Sequence, residues 1–148
     1  MLTSPPIAGV LAWWPEPGHG WIFPDDIELV RRLVPSPRIV IRDYFDGTFY
    51  HFHYGRWQFR LRPCLWMPVP MEPFAIGESV EVRAVGAARE PFVARIQHII
   101  WDSRTQQAQY VLRRREMRCA RRYARNDLRK LERALERDEQ WLPLDGVA

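Results

Sequence analysis

Lysine is almost absent from this chain: of 22 basic residues, Lys130 is the only lysine and the rest are arginine. Cysteine is equally scarce. Cys64 and Cys119 stand far apart and make no Cys-x-x-Cys, so a clustered-cysteine metal or redox motif is excluded. The simplest expectation is a cytoplasmic protein with two reduced thiols, although a single disulfide is compatible with the sequence. Long hydrophobic runs are missing too. The longest early one, Ile7 to Trp14, is too short to span a bilayer, and Met1 to Pro6 carries no basic residue of a signal-peptide pattern. No membrane association is expected. Serine occurs only at Ser4, Ser36, Ser79 and Ser103, never in a Gly-x-Ser-x-Gly. A phosphate-cradling glycine loop and a His-Glu-x-x-His are also absent, so the sequence implies no cofactor and supports no nucleophilic enzyme.

What is present is ordinary globular material with two biases. The 148 residues are 47% hydrophobic and 27% charged, which excludes wholesale disorder. Aromatics make up 13%, enough to give a small domain an adequate core. Thirteen prolines disfavour a helical bundle and favour short strands and turns. The preference for arginine over lysine has two sources. A GC-rich genome replaces Lys with Arg everywhere, and the spread of arginine along the chain fits that. Arginine also recognises phosphate and carboxylate bidentately.

Pattern divides the chain near the proline-rich stretch 63–73. The first unit, 7–69, is expected to open with a strand over Val10 to Trp14. A turn at 15–20, a short strand at Trp21 to Phe23 and a helix should follow. Asp25 would cap that helix, with Glu28 reaching back, and Pro35 and Pro37 would stop it. A three-stranded meander comes next. Arg38 to Tyr44 enters the hairpin signal Asp46-Gly47, Phe49 to Tyr54 returns, and Trp57 to Arg62 follows Gly55. Alternation puts Tyr50, Phe52 and Tyr54 on one face and His51 and His53 on the other.

Residues 70–73 read as a stiff linker. The second unit, 74–125, opens at Ile76-Gly77 into an alternating strand over 79–83. A long, bent strand over Pro91 to Trp101, a turn at 102–105 and a strand over Gln107 to Leu112 follow. This order suits a small SH3-like or Tudor-like antiparallel barrel. The end has two readings. Met117, Ala120, Ala124, Leu128, Leu131 and Leu135 have helical spacing, which allows one helix over about 114–139. The alternative is a hairpin turn at 114–116, a strand over Met117 to Arg122 that closes the barrel, and a helical tail over 126–148. The need to remove an open edge favours the alternative. The predicted fold class is mainly β with minor α: two small SH3-like or Tudor-like antiparallel barrels, a short helix in the first and a C-terminal helix.

Together, Trp13-Trp14-Pro15, Gly18-His19, Pro24-Asp25-Asp26, Tyr54-Gly55, Phe59-Arg60, Arg62-Pro63, Ile76-Gly77, Ile99-Ile100-Trp101 and Arg122-Tyr123 resemble an uncharacterised bacterial family, a domain of unknown function, over roughly residues 8–130. The resemblance implies a small β-barrel second half and no activity. It also supports the closing-strand reading, through Arg122-Tyr123 followed by Asp127-Leu128. Members carry His after the tryptophan of the Ile-Ile-Trp strand, where this chain has Asp102, which removes a metal ligand there.

The strongest physical signal is charge. Residues 1–112 hold as many acids as bases, while 113–130 hold eight arginines and Lys130 against Glu116 and Asp127, a net of +7. Arg113, Arg114, Arg115, Arg118, Arg121, Arg122 and Arg125 are therefore candidates for anion binding, and Tyr123 among them could stack on a base. A solvated face, or pairing with Glu132, Glu136, Asp138 and Glu139, is the plainer explanation. Trp13 and Trp14 are adjacent on an expected strand, so one should face an interface between the units or a partner. His51 and His53 are weak metal candidates, about 7 Å apart on one strand face, with His19, Asp25 or Asp43 as a third ligand. Arginines could activate Cys119, but a structural thiol is the simpler reading. The expected function is non-catalytic recognition of an anionic partner, either nucleic acid or an acidic protein surface. A protein-interaction or assembly module is the alternative, and a metal-dependent enzyme comes third.

Overall fold

The structure is a computed structural model that describes residues 4–83 and 90–131. Its first sheet contains β1 (Ile7–Val10), β2 (Ile39–Phe45), β3 (Tyr50–Tyr54), β4 (Trp57–Leu61) and β5 (Met67–Pro68). A 3-10 turn, Pro24–Asp26, leads into the one α-helix among the described residues, α1 (Ile27–Leu33). The second sheet contains β6 (Ser79–Val82), β7 (Phe92–Asp102), β8 (Gln107–Arg114), β9 (Met117–Arg118), β10 (Tyr123–Ala124) and β11 (Leu128–Lys130). All pairings are antiparallel. The orders are β4-β3-β2-β1-β5 and β10-β8-β7-β6-β11, with β9 also on β8. No described helix is long and apolar enough to cross a membrane.

The meander forms where the alternation placed it. Asp46 closes its first hairpin: Oδ1 accepts from the amides of Thr48 and Phe49, both at 2.8 Å, and Gly47 takes φ +104°. Those amides, with His51, hold the Asp46 carboxyl down at about 2. The opening strand is displaced from its expected place. It ends at Val10, and Trp13 and Trp14 lie in a loop. Both faces of β1 are covered, so hydrophobicity continued past the strand without marking its end. Gly9 lies under the Trp66 ring, where a Cβ would approach Trp66 to 2.4 Å and the Met67 carbonyl to 2.8 Å. The expected cap is also replaced. No side chain caps α1: the expected cap, Asp25, falls inside the 3-10 turn, and Asp26, at the cap position, accepts instead from the Arg60 amide and Nε, both at 2.9 Å. A charge-assisted pair with a strand neighbour outweighs one helix-terminal amide.

Two hydrophobic clusters result. Leu11, Trp21, Val30, Val40, Phe52, Phe59 and Leu61 fill the space between the first sheet and α1. Val80, Ile96, Ile99, Tyr110 and Leu112 fill the second, which Ala8, Val10 and Ile39 enter from the first sheet. The proline-rich stretch is partly structural, because Met67–Pro68 pairs with β1 and the Val69 amide donates to Ala8.

The second sheet corrects three expectations. Neither sheet is closed by its hydrogen bonds, so two closed barrels are not formed. The favoured hairpin turn at 114–116 is present, with Arg115 at φ +57°, in place of a long helix. The strand that pairs with β6 is β11, not Met117 to Arg122. Leu128 buries and the backbone of 128–130 pairs with Val80–Val82, which makes 128–130 a strand at the position where a helical tail was expected. A 3-10 turn, Arg125–Asp127, precedes it, and the remainder of that expected helix, 132–148, lies outside the described residues. Gly9→Ala tests the close approach at β1: in urea unfolding it should destabilise the protein by about 1–3 kcal/mol, the cost of overpacking.

Candidate anion-binding face

Burial assigns the two faces of the second sheet. Ala94, Ile96, Ile99 and Trp101 of β7 and Ala108, Tyr110 and Leu112 of β8 point into the core. The residues between them point outward, and pairing arranges them in rows. Arg95 lies opposite Arg113, and Arg113 opposite Arg118, so three arginines sit abreast on three adjacent strands. The next row on this side is His98 and Val111, where Val111 is buried, and beyond it come Ile100, Gln109 and Ala124. A bulge between Ile96 and His98 keeps His98 in phase with this face.

The guanidiniums here hydrogen-bond to uncharged oxygens. Arg118 Nε donates to Gln97 Oε1 at 3.1 Å, and Arg122 donates to Gln109 Oε1 at 3.2 Å. Arg113 donates to the Glu116 carbonyl at 2.8 Å. These acceptors fix side-chain position without cancelling charge.

The first sheet supplies one border. Arg38 bridges to Ile100, and the Trp101 amide donates to the Pro37 carbonyl at 2.7 Å. The Tyr54 hydroxyl lies 2.8 Å from His98 Nδ1, and the Arg38 guanidinium sits 5.9 Å from the Tyr54 ring centre. Burial pushes the Tyr54 phenol up to about 12. Burial, with Arg38 and Arg118 nearby, lowers the His98 imidazole below its ordinary range. His98 is thus neutral near pH 7 and shares a hydrogen bond with the phenol through Nδ1.

The seven predicted arginines do not converge. Arg113, Arg118 and Arg122 belong to this face. Arg114 and Arg115 sit at the hairpin, where Arg114 lies over the Phe92 ring at 4.6 Å. Arg121 lies over the Tyr123 ring, and Arg125 sits in the 3-10 turn. Sequence reasoning missed Arg38 and Arg95, which lie outside the charge-dense segment. Tyr123 is 6% exposed within the core, so its ring is not available to a base. Trp14 packs against Trp21 on the α1 side, Trp13 is exposed, and neither joins the two sheets.

Lys130 lies in a different place. It pairs with Glu78 at 3.2 Å in a cleft of about 410 Å³ between the sheets, lined in part by Ile39, Ile41, Asp43, His53 and Phe74. His51 and His53 do not share a ligand. His51 Nε2 is 2.8 Å from Asp46 and His53 Nδ1 is 2.6 Å from Asp43. Among the described residues no group of three or more His, Cys, Asp or Glu side chains could hold a metal ion. Cys64 and Cys119 are free thiols, and burial with Glu16 nearby raises Cys64 to about 11, which makes it unreactive.

A family model described as a family of unknown function (DUF6960) matches residues 1–129. The chain belongs to this family. The match covers every strand from β1 to β10 and most of β11, so the DUF6960 chain carries both sheets of the face and its border within the family region. No curated protein and no solved structure matches the chain.

His98 gives this DUF6960 protein a directional pH dependence. Its folded value lies below the unfolded value of 6.5, so the unfolded chain takes up a proton that the folded chain resists. That contribution is complete above about pH 6.5 and is lost as pH falls through the folded value. Urea midpoints should therefore fall between about pH 7 and 5, and His98→Gln should flatten the fall. An unchanged slope in the variant would exclude His98 as the source.

Proposed function

We propose that this protein is a non-catalytic binding module for an anionic partner, specifically nucleic acid, which it engages through the outer face of its second sheet. We further propose that β6–β11 is a partly open barrel of the SH3-like, Tudor-like kind. The strand path supports this: β10 and β11 are the two ends of the sheet, yet only the 3-10 turn Arg125–Asp127 separates them in the chain. The Arg83 amide donating to the Asp127 carbonyl extends the β6–β11 ladder, and the Ala124 amide donating to Asp127 Oδ2 at 2.9 Å ties β10 to the same turn. Fold alone implies no function, so the binding reading stands on the site.

The observation that carries it is the row Arg95–Arg113–Arg118. Like charges directly opposite on neighbouring strands destabilise a sheet by about 0.2–1 kcal/mol per pair. Folding gains nothing from that arrangement, whereas a polyanion laid along the row offsets the repulsion and releases counterions. Glutamines and a carbonyl position the cations without neutralising them, which suits a surface that meets phosphates.

Fluorescence anisotropy with generic DNA and RNA tests the reading. Binding should be measurable at about 50 mM salt and fall steeply towards about 200 mM. The double variant R113A/R118A should lower the salt slope by about two, one for each phosphate that is no longer neutralised. R31A/R32A, on α1, should leave it unchanged. Absence of binding at low salt overturns the nucleic-acid reading. A stable homo-oligomer in light scattering that shields these arginines would favour assembly in its place.

A further inference from the structure

We infer that the nucleic acid bound by this face is single-stranded, with one unpaired base stacked on Trp57. The inference rests on the nucleic-acid reading above and adds the strand state and an aromatic platform. Trp57 is the first residue of β4 and lies opposite Tyr54 across a two-residue turn. Its ring is nearly parallel to Tyr54, 7° between planes with centroids 6.3 Å apart. Tyr54 is in turn nearly parallel to His98, at 14° and 6.0 Å. An aromatic run therefore leads from the end of the first sheet onto the outer face of the second.

The members of this run differ in access. Tyr54 is fully buried, while Trp57 is 39% exposed. A large flat ring set parallel to a buried tyrosine and partly exposed serves as a stacking platform once the flexible Arg56 side chain over it swings aside. Cations flank it. The Arg56 guanidinium lies 5.7 Å from the Trp57 ring centre, and Arg38 lies beside Tyr54. His98 follows, and the arginine row lies one outward position further on, about 7 Å away. The path from Trp57 to that row is roughly 20 Å, a few nucleotides of extended backbone. Away from its ends a duplex keeps both faces of its bases in the stack, so within a strand an unpaired base is needed to cover the Trp57 ring while its backbone follows Arg38, Arg118 and Arg113.

Anisotropy titrations at low salt should compare a labelled ten-nucleotide oligothymidine with a ten-base-pair duplex. The single strand should bind more tightly. Trp57→Ala should weaken single-strand binding about 5- to 50-fold, leave duplex binding unchanged, and remove a quenching component of tryptophan fluorescence that wild type shows on saturation. Trp57→Phe should retain most of the affinity. If the alanine variant unfolds at lower urea than wild type, Trp57→Leu takes its place, since it keeps an apolar contact with Tyr54 and offers no ring. Duplex binding equal to single-strand binding, with Trp57→Ala or Trp57→Leu silent and R113A/R118A weakening both, overturns this inference and leaves the anion-binding face standing. No binding of either strand form at low salt overturns both.

Discussion

Ala8, Val10 and Ile39 face away from α1 and bury in the same cluster as Val80, Ile96, Ile99 and Leu112. This contact, made by β1 and β2 of the first sheet against the core of the second, holds the architecture together. It explains why β1 is covered on both sides and why Gly9 is needed where Trp66 crosses behind the strand. It also explains why Arg38, at the entry to β2, reaches Ile100 on β7. Burying each large aliphatic side chain contributes about 1.5–3 kcal/mol. Val10 and Ile39, two such side chains, outweigh the single backbone bridge and the Tyr54–His98 hydrogen bond, at about 0.5–1.5 kcal/mol, that accompany them. The polar contacts set the alignment, and the apolar contacts supply the affinity.

The same sheet reconciles two opposing demands along β7 and β8. Its inner face is buried and mostly apolar, with Ile96, Tyr110 and Leu112 at most 1% exposed. Its outer face sets arginine opposite arginine, at a cost of about 0.2–1 kcal/mol per pair. Core burial on the opposite side of the same strands is several times larger, so the sheet tolerates the charge. Gln97 and Gln109 use their side-chain carbonyls to hold Arg118 and Arg122, and the cations remain cations. At the border with the first sheet, burial keeps His98 unprotonated beside the cations Arg38 and Arg118.

Much of the local structure was legible in the residues. Period-two alternation located β3, β4, β6 and β8, and Asp46-Gly47 located the first hairpin, because each signal depends only on neighbours in the chain. The 3-4 spacing from Met117 to Leu135, set aside because an open edge needs covering, yields no helix over its described part, and Leu128 meets the open edge of β6 and takes its hydrogen bonds there. Asp25-Asp26 looked like a cap until Arg60, 34 residues on from Asp26, claimed that carboxylate. The candidate site was half legible: charge density marked Arg113, Arg118 and Arg122 but equally marked Arg114, Arg121 and Arg125, which point elsewhere.

The near absence of lysine, the basic segment after Leu112 and the alternating strands are properties of the chain, and the sequence alone determined them along with a mainly β class. Which arginines share a surface was decided only by the tertiary structure. Strand register brings Arg95 to Arg113, the bulge keeps His98 in step, and the docking of the first sheet adds Arg38, Tyr54 and Trp57. It also separates Lys130 from that surface and pairs it with Glu78 in the cleft. The physical reason is that charge accumulates along the chain as a sum, whereas a binding surface depends on direction. Side-chain direction in a sheet is set by pairing partners far away in sequence.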